Sequence, residues 1–394
     1  MDQQRNKRLA IRALLAIVVL LGIEYALHLH EVKRQATALT PPTPSVAVTN
    51  TNPPPSPPPV VAAATNVPVR MPGGALQNLF DAVKAAPDAK AARQALAALR
   101  AALAAMPKDQ AVALVRQYLD SKSDASTHLG FKVASNGTLD DAPTLRTFLL
   151  DELGRLDPGA AADYSKVILD SKDSPDEWAV ALRNLANGDS SDTGKNLLQQ
   201  KANELLQYSS WQGDPSTGYL EAFDVAVYVG GTNLMPTLSD LVRKQDNPAV
   251  AHAAFLALDR LVINAPATTL AALESDPDMM QGREQTRADY FARADVRDPA
   301  QKQVLENYLL DQRVSPTELD AFAGVYPNAN YMISPNLLTQ NVTPDRASLT
   351  SRDAESLAVA QQWAADPRFA NVQPALQKMI SRLQVFVQQA QQGH

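Results

Sequence analysis

Between residues 142 and 264 one local pattern returns four times, and it constrains the fold more than any other feature of the chain. A proline leads each of four runs whose apolar residues have helical spacing: Pro143, Pro175, Pro215 and Pro248. At the first helical position proline gives up no hydrogen bond, because that N–H has no intrahelical partner, and its fixed φ suits the first turn. Ser174, Asp214 and Asn247 precede three of these prolines, and such side chains cap free amides. Before Pro143 comes Ala142, with Asp141 one step earlier, so that unit departs from the rule. The spacings of 32, 40 and 33 residues fit a recurring helix pair, the signature of stacked α-helical repeats.

Helical periodicity extends on both sides of this region. It predicts helices over 75–85, 89–106 and 109–121, then over 143–156, 158–170, 175–186, 196–208, 215–229, 234–244 and 248–263. Residues 122–141 are polar, contain Gly130, Asn136 and Gly137, and are expected to form a loop. Further helices are predicted over 281–294, 299–312, 316–322, 351–364 and 372–391. Ser315-Pro316-Thr317-Glu318 has the residues of a capping box. The runs Asp176–Leu185 (DEWAVALRNL) and Asn247–Leu261 (NPAVAHAAFLALDRL) place alanine and leucine where a second repeat helix packs on its neighbours. In this the chain resembles HEAT-like helical repeats over about 120 residues. It departs from them in its uneven period, and in Ala251-His252 where an arginine often follows the valine. The resemblance implies an all-α protein: an α-solenoid of antiparallel helix pairs over 75–275, with a C-terminal helical region over 276–394.

The N-terminal end has a different character. Arg5, Lys7 and Arg8 precede an uninterrupted apolar run from Ala13 to Ile23, which widens to Leu9–Leu29 if Arg12 and Glu24 are admitted. With Arg12 reaching back to the interface and Tyr25, His28 and His30 near the other one, residues 9–29 are expected to anchor the chain in a membrane. The positive flank sets residues 1–34 with their N-terminus in the cytoplasm and the bulk of the chain periplasmic or extracellular. Cleavage at Ala36-Thr37-Ala38 is the alternative, giving a secreted protein. Eleven prolines lie between Pro41 and Pro72. No hydrophobic period survives there, so residues 35–74 are expected to be a disordered, extended spacer.

Composition narrows the chemistry. There is no cysteine, which removes disulfides, thiolate nucleophiles and cysteine-bound metals. Residues 1–34 carry six basic and three acidic groups, leaving −9 on the rest of a chain whose total is −6. An acidic body is a poor match for a phosphate backbone, so no nucleic-acid partner is expected. The histidines are isolated, and His252 is read as a packed or surface residue. No HExxH, G-x-S-x-G, Walker A or G-x-G-x-x-G occurs, and no catalytic, metal or cofactor site is expected. Asp276, Asp278, Asp295 and Asp298 are read as helix caps, and Asp151 with Arg155 as an i,i+4 surface ion pair.

The rhythm of helices stops at residues 324–350, a long segment of aromatic, apolar and asparagine side chains, and such loops are often functional. Tyr326, Tyr331, Met332, Ile333 and Leu337 are its candidate partner contacts. The alternative is that Tyr331, Ile333 and Leu338 cover the apolar faces of the last helices. These readings converge on a membrane-anchored, extracytoplasmic scaffold that binds another protein without catalysis. Two other functions remain open. Arg287-Ala288-Asp289-Tyr290-Phe291 resembles the motif region of membrane-anchored lipase foldases, which also have an anchor, an Ala/Pro-rich linker and a helical body, although the residue order differs. That resemblance implies a steric chaperone. The other is a hydrolase or lyase, which requires a concave pocket holding two carboxylates that bind protons more tightly than usual.

Overall fold

The computed structural model describes residues 73–244 and 246–392, all inside the compact unit Val67–His394. The expected anchor over 9–29 and the linker lie outside the described residues, apart from Gly73 and Gly74, which open the first helix. Among the described residues no helix is long and apolar enough to cross a membrane.

The fold is all-α with one small hairpin. Three helices lead in: α1 (Gly73–Lys84), α2 (Ala89–Ala104) and α3 (Lys108–Asp120). After the hairpin come α4 (Leu145–Leu156), α5 (Pro158–Leu169), α6 (Pro175–Gly188) and α7 (Asp192–Gln207). Three short helices follow, α8 (Ser209–Gly213), α9 (Thr217–Glu221) and α10 (Phe223–Val229). Then come α11 (Met235–Lys244), α12 (Pro248–Asn264), α13 (Pro266–Ser275), α14 (Glu284–Phe291), α15 (Pro299–Leu310) and α16 (Pro316–Val325). Two long helices, α17 (Arg346–Ala365) and α18 (Gln373–Gln391), close the chain. Packing is serial: α4 lies on α5 and α6, α6 on α7 and α9, α12 on α11 and α13, α13 on α15, α14 on α16, and α18 on α16 and α17. The boundary expected at 275/276 falls at the end of α13, which packs on α15.

Two of the four prolines do what the sequence predicted. Pro175 and Pro248 stand in the first turn behind Ser174 and Asn247, whose side chains accept from Glu177 N at 3.2 Å and from Ala249 N at 3.0 Å. The other two do not open helices. Thr144 is the N-cap of α4, accepting from Thr147 N, and Ser216 is the N-cap of α9, accepting from Tyr219 N. In each case a hydroxyl one residue after the proline takes over the cap, so Asp214 never acts as one. Conversely, Pro158, Pro266, Pro299, Pro316 and Pro374 also begin helices. Among the described residues proline therefore marks helix starts well beyond the four positions of the pattern. The segment read as one helix over 215–229 is broken at Ala222, which ends α9 and precedes α10.

The expected loop over 122–141 folds into an antiparallel hairpin of Lys132–Val133 and Leu139–Asp141, with Ser126 bridged to Thr144 beyond it. Its turn needs Gly137, at φ +81°. A Cβ there would lie 2.4 Å from the carbonyl oxygen of Leu337, so the turn also admits a distant segment of backbone. Two aromatic ladders stiffen the core. Trp178, Trp211, Tyr219 and Phe223 meet edge to face in sequence, with centroids 5.3, 6.2 and 5.4 Å apart. Phe291, Tyr308, Phe322 and Tyr326 form the second, at 4.0, 5.3 and 5.0 Å. Such rings combine large buried area with favourable pair geometry.

Candidate functional site

Buried charge separates the structural part of the molecule from the part that can bind. Asp151 was expected on the surface; it is fully buried. Its neighbours on α4, Leu149, Leu150 and Leu153, are buried as well, so helix α4 has core on nearly every side. The carboxylate accepts from Leu139 N at 3.0 Å, Arg183 Nη1 at 2.5 Å and Arg155 Nε at 2.9 Å. Arg183 also donates to the Gly137 carbonyl at 2.9 Å, tying the hairpin turn to α6. Both carboxylate oxygens of Asp151 accept hydrogen bonds, as a buried charge requires. Arg146 and Glu177 form a second cross-helix pair, at 2.7 and 3.0 Å.

The segment between α16 and α17, residues 326–345, does not lie only against the terminal helices. It crosses the turn at Gly137 and docks on Asp224. The Asp224 carboxylate accepts from Leu338 N at 2.7 Å and Thr339 N at 3.0 Å, and also from the Thr339 hydroxyl. Arg260 completes the arrangement, with Nη1 3.0 Å from the same carboxylate and 3.3 Å from Thr339 Oγ1. The segment's other end is fixed by Asn328 N, which donates to the Ala292 carbonyl at 2.7 Å, and by Arg293, whose guanidinium lies 5.2 Å from the centre of the Tyr331 ring.

Between this segment, α9, α10 and α12 lies a cleft of about 230 Å³. Its floor is a stripe along α12: Ala249, Ala253, Leu256, Arg260 and Ile263. Those positions recur every three or four residues, so they share one helix face. Alanine at 249 and 253 leaves the room that a larger side chain would fill. Leu220 and Glu221 of α9 form one wall, and Met332, Ser334 and Asn336 the opposite one. Helix α9 is held in place by Asp176 of α6, which accepts from Gly218 N at 2.9 Å and Ser216 Oγ at 2.5 Å. A Cβ on residue 218 would meet that oxygen at 2.3 Å, so the close approach needs glycine.

Two carboxylates face this cleft, and both bind protons more tightly than usual. For Asp259 the cause is burial, which outweighs the bidentate bonds from Arg293 at 2.9 and 2.8 Å. Burial also raises Glu221, against the pull of Arg260 and with the help of Asp224. The two differ in one respect: among the described residues, no hydrogen bond or ion pair reaches the Glu221 carboxylate. It is the free charge of the cleft. His252 is exposed at the rim, its ring stacked 6.2 Å from Phe255.

The five residues of the expected contact segment separate accordingly. Tyr326 is wholly buried, its hydroxyl 3.2 Å from Ser356 Oγ, and Leu337 is buried too, so both belong to the core and not to an accessible surface. Tyr331 is half-buried beside Arg293. Met332 and Ile333 are 58% and 70% exposed, and Met332 lines the cleft. Sequence reasoning missed Glu221, Asp224 and Arg260. Only Asp224 left a local signal, a charge inside the apolar run Phe223-Asp224-Val225-Ala226-Val227.

Other expectations are revised. Asp298 caps α15, accepting from Ala300 N and Gln301 N. Asp295 instead pairs with Arg297, and Asp276 makes no cap bond. Ser315 caps α16, but Glu318 does not reach back; its carboxylate turns inward to Arg287 at 3.0 Å and the Tyr308 hydroxyl at 2.9 Å. Arg287 is thereby buried over the rings of Phe291 and Tyr308. Among the described residues no group of three His, Asp or Glu could hold a metal ion. No known protein family matches this chain, and no curated protein matches it.

Proposed function

We propose that the chain is a membrane-anchored, extracytoplasmic scaffold that binds another protein in the cleft between α9, α12 and residues 326–345. The observation that carries this reading is the pair Met332 and Ile333, two large apolar side chains left in solvent at the edge of a mostly apolar cleft. Exposed apolar surface beside a concavity is the usual mark of a recognition site. The anchor over 9–29 and the spacer after it would hold the site away from a bilayer. The helix pairs are proposed to stack as HEAT-like repeats, a view supported by their serial packing and not by the four prolines.

A carboxylate-based hydrolase or lyase is the second reading, favoured by the presence of Glu221 and Asp259 in one cleft with raised proton affinity. The paired-carboxylate chemistry of this reading needs both groups free to exchange protons. Asp259 is clamped by Arg293, which leaves Glu221 alone. Binding therefore accounts for the arrangement better than catalysis does. The steric-chaperone reading has less support, since Arg287 of the motif-like segment is spent on Glu318.

A photo-crosslinking residue at Ile333, compared with one at Val167, which is 59% exposed on α5, tests the proposal in native membranes. A reproducible adduct from position 333 and none from 167 is the expected result. Equal adducts from both positions, or none from 333, would contradict it.

A further inference from the structure

Charge bookkeeping in the cleft indicates the chemistry of its occupant. Asp224 is matched by Arg260, and Asp259 by Arg293. Glu221 has no ion pair among the described residues and feels Arg260 only at a distance. Asp289, half-buried near Asp259 and Arg293, adds a further negative charge behind the floor. The local balance is therefore negative, with the Glu221 carboxylate set among Leu220, Phe223, Leu256 and Ile263. A neutral apolar ligand would strip the remaining water from Glu221 and return nothing, which is costly for a charged group. An anionic ligand would add repulsion to that cost.

On the reading of the cleft as a docking site, we infer that it takes the cationic side chain of a partner polypeptide, a lysine or arginine flanked by apolar residues, with Glu221 as counter-ion. The methylene stem of such a side chain packs on the apolar walls while its charged head meets the carboxylate. About 230 Å³ is below the usual range for a drug-sized ligand and suits a single side chain. The flanking residues account for Met332 and Ile333, which a free amine would leave uncovered. The net −9 on residues 35–394 would steer a basic segment toward the protein.

The test is to pan a displayed library of random short peptides over the full chain and over Glu221→Gln. Because no hydrogen bond or ion pair reaches Glu221 among the described residues, the substitution orphans no donor there, and a thermal melt confirms that the variant is folded. Enrichment on the natural chain of peptides with one lysine or arginine between apolar residues is expected. The best of them should bind Glu221→Gln at least tenfold more weakly, and its norleucine analogue should bind both proteins alike. Enrichment of acidic or uncharged peptides, or equal affinity for both proteins, would overturn the inference while leaving the docking site standing. If no peptide enriches on either protein, the docking site itself is refuted as well.

Discussion

The Asp151 cluster and the Glu221 cleft are two regions where a carboxylate on one helix sits near an arginine from a later one, and they end in opposite states. Around Asp151 both carboxylate oxygens are used: a backbone amide, Arg183 and Arg155 all donate to it, and Arg183 reaches on to the hairpin turn. Around Glu221 the arginines are taken by other acids, and the carboxylate faces open space. The first arrangement closes the fold on itself. The second leaves charge and apolar surface unspent, which a fold does not need and a binding site does.

The largest effect should come from breaking the closed region. Asp151→Ala leaves Arg183 buried without its carboxylate, a change that costs roughly 3–5 kcal/mol in comparable sites. Urea unfolding should show the loss as a lower midpoint with an unchanged slope. A loss below about 1 kcal/mol would mean the cluster is not the anchor described here.

An intermediate effect should come from the joint between the regions. Asp224→Ala removes the acceptor for Leu338 N, Thr339 N, the Thr339 hydroxyl and Arg260. It should cost about 2–3 kcal/mol, the scale for losing bonds to a charged group. Hydrogen exchange should speed up at Leu338 and Thr339 while the amides of α4 and α6 stay protected. Uniform loss of protection would show that the segment is not a separable element.

The smallest effect should have the opposite sign. The Glu221 carboxyl is raised by burial, so folding favours its neutral form. Its charged form destabilises the fold increasingly as pH rises above the ordinary value of 4.5, with the penalty complete above the raised folded value. Glu221→Gln removes that penalty. It should stabilise the protein slightly near neutral pH, and the gain should fade below pH 4.5. Destabilisation near neutral pH would reveal a partner for Glu221 and dissolve the contrast between the two regions.

How much of this the sequence carried depends on whether the cause was local. Pro175 and Pro248 with their caps, Pro158, Pro299 and the cap at Asp298 were legible, because a cap is decided within four residues. Pro143 and Pro215 misled because Thr144 and Ser216, one step later, are competent caps themselves. Asp151 was misread because an i,i+4 partner looks the same on a surface and in a core; the leucines at 149, 150 and 153 were the clue to its burial. Residues 326–345 were recognised as irregular, yet their docking on Asp224 joins positions more than a hundred residues apart, and no local pattern encodes that. The cleft depends on the same long-range docking, which is why Glu221 drew no notice in the chain.

The central claim is that the cleft itself, and not merely the apolar rim, receives the partner. Ala253→Phe fills the floor with a ring while leaving Met332 at the rim, and crosslinking from position 333 reads the result. The account predicts that the adduct seen with the natural chain disappears while the thermal unfolding midpoint stays within a few degrees. An undiminished adduct in the folded, filled variant would contradict it.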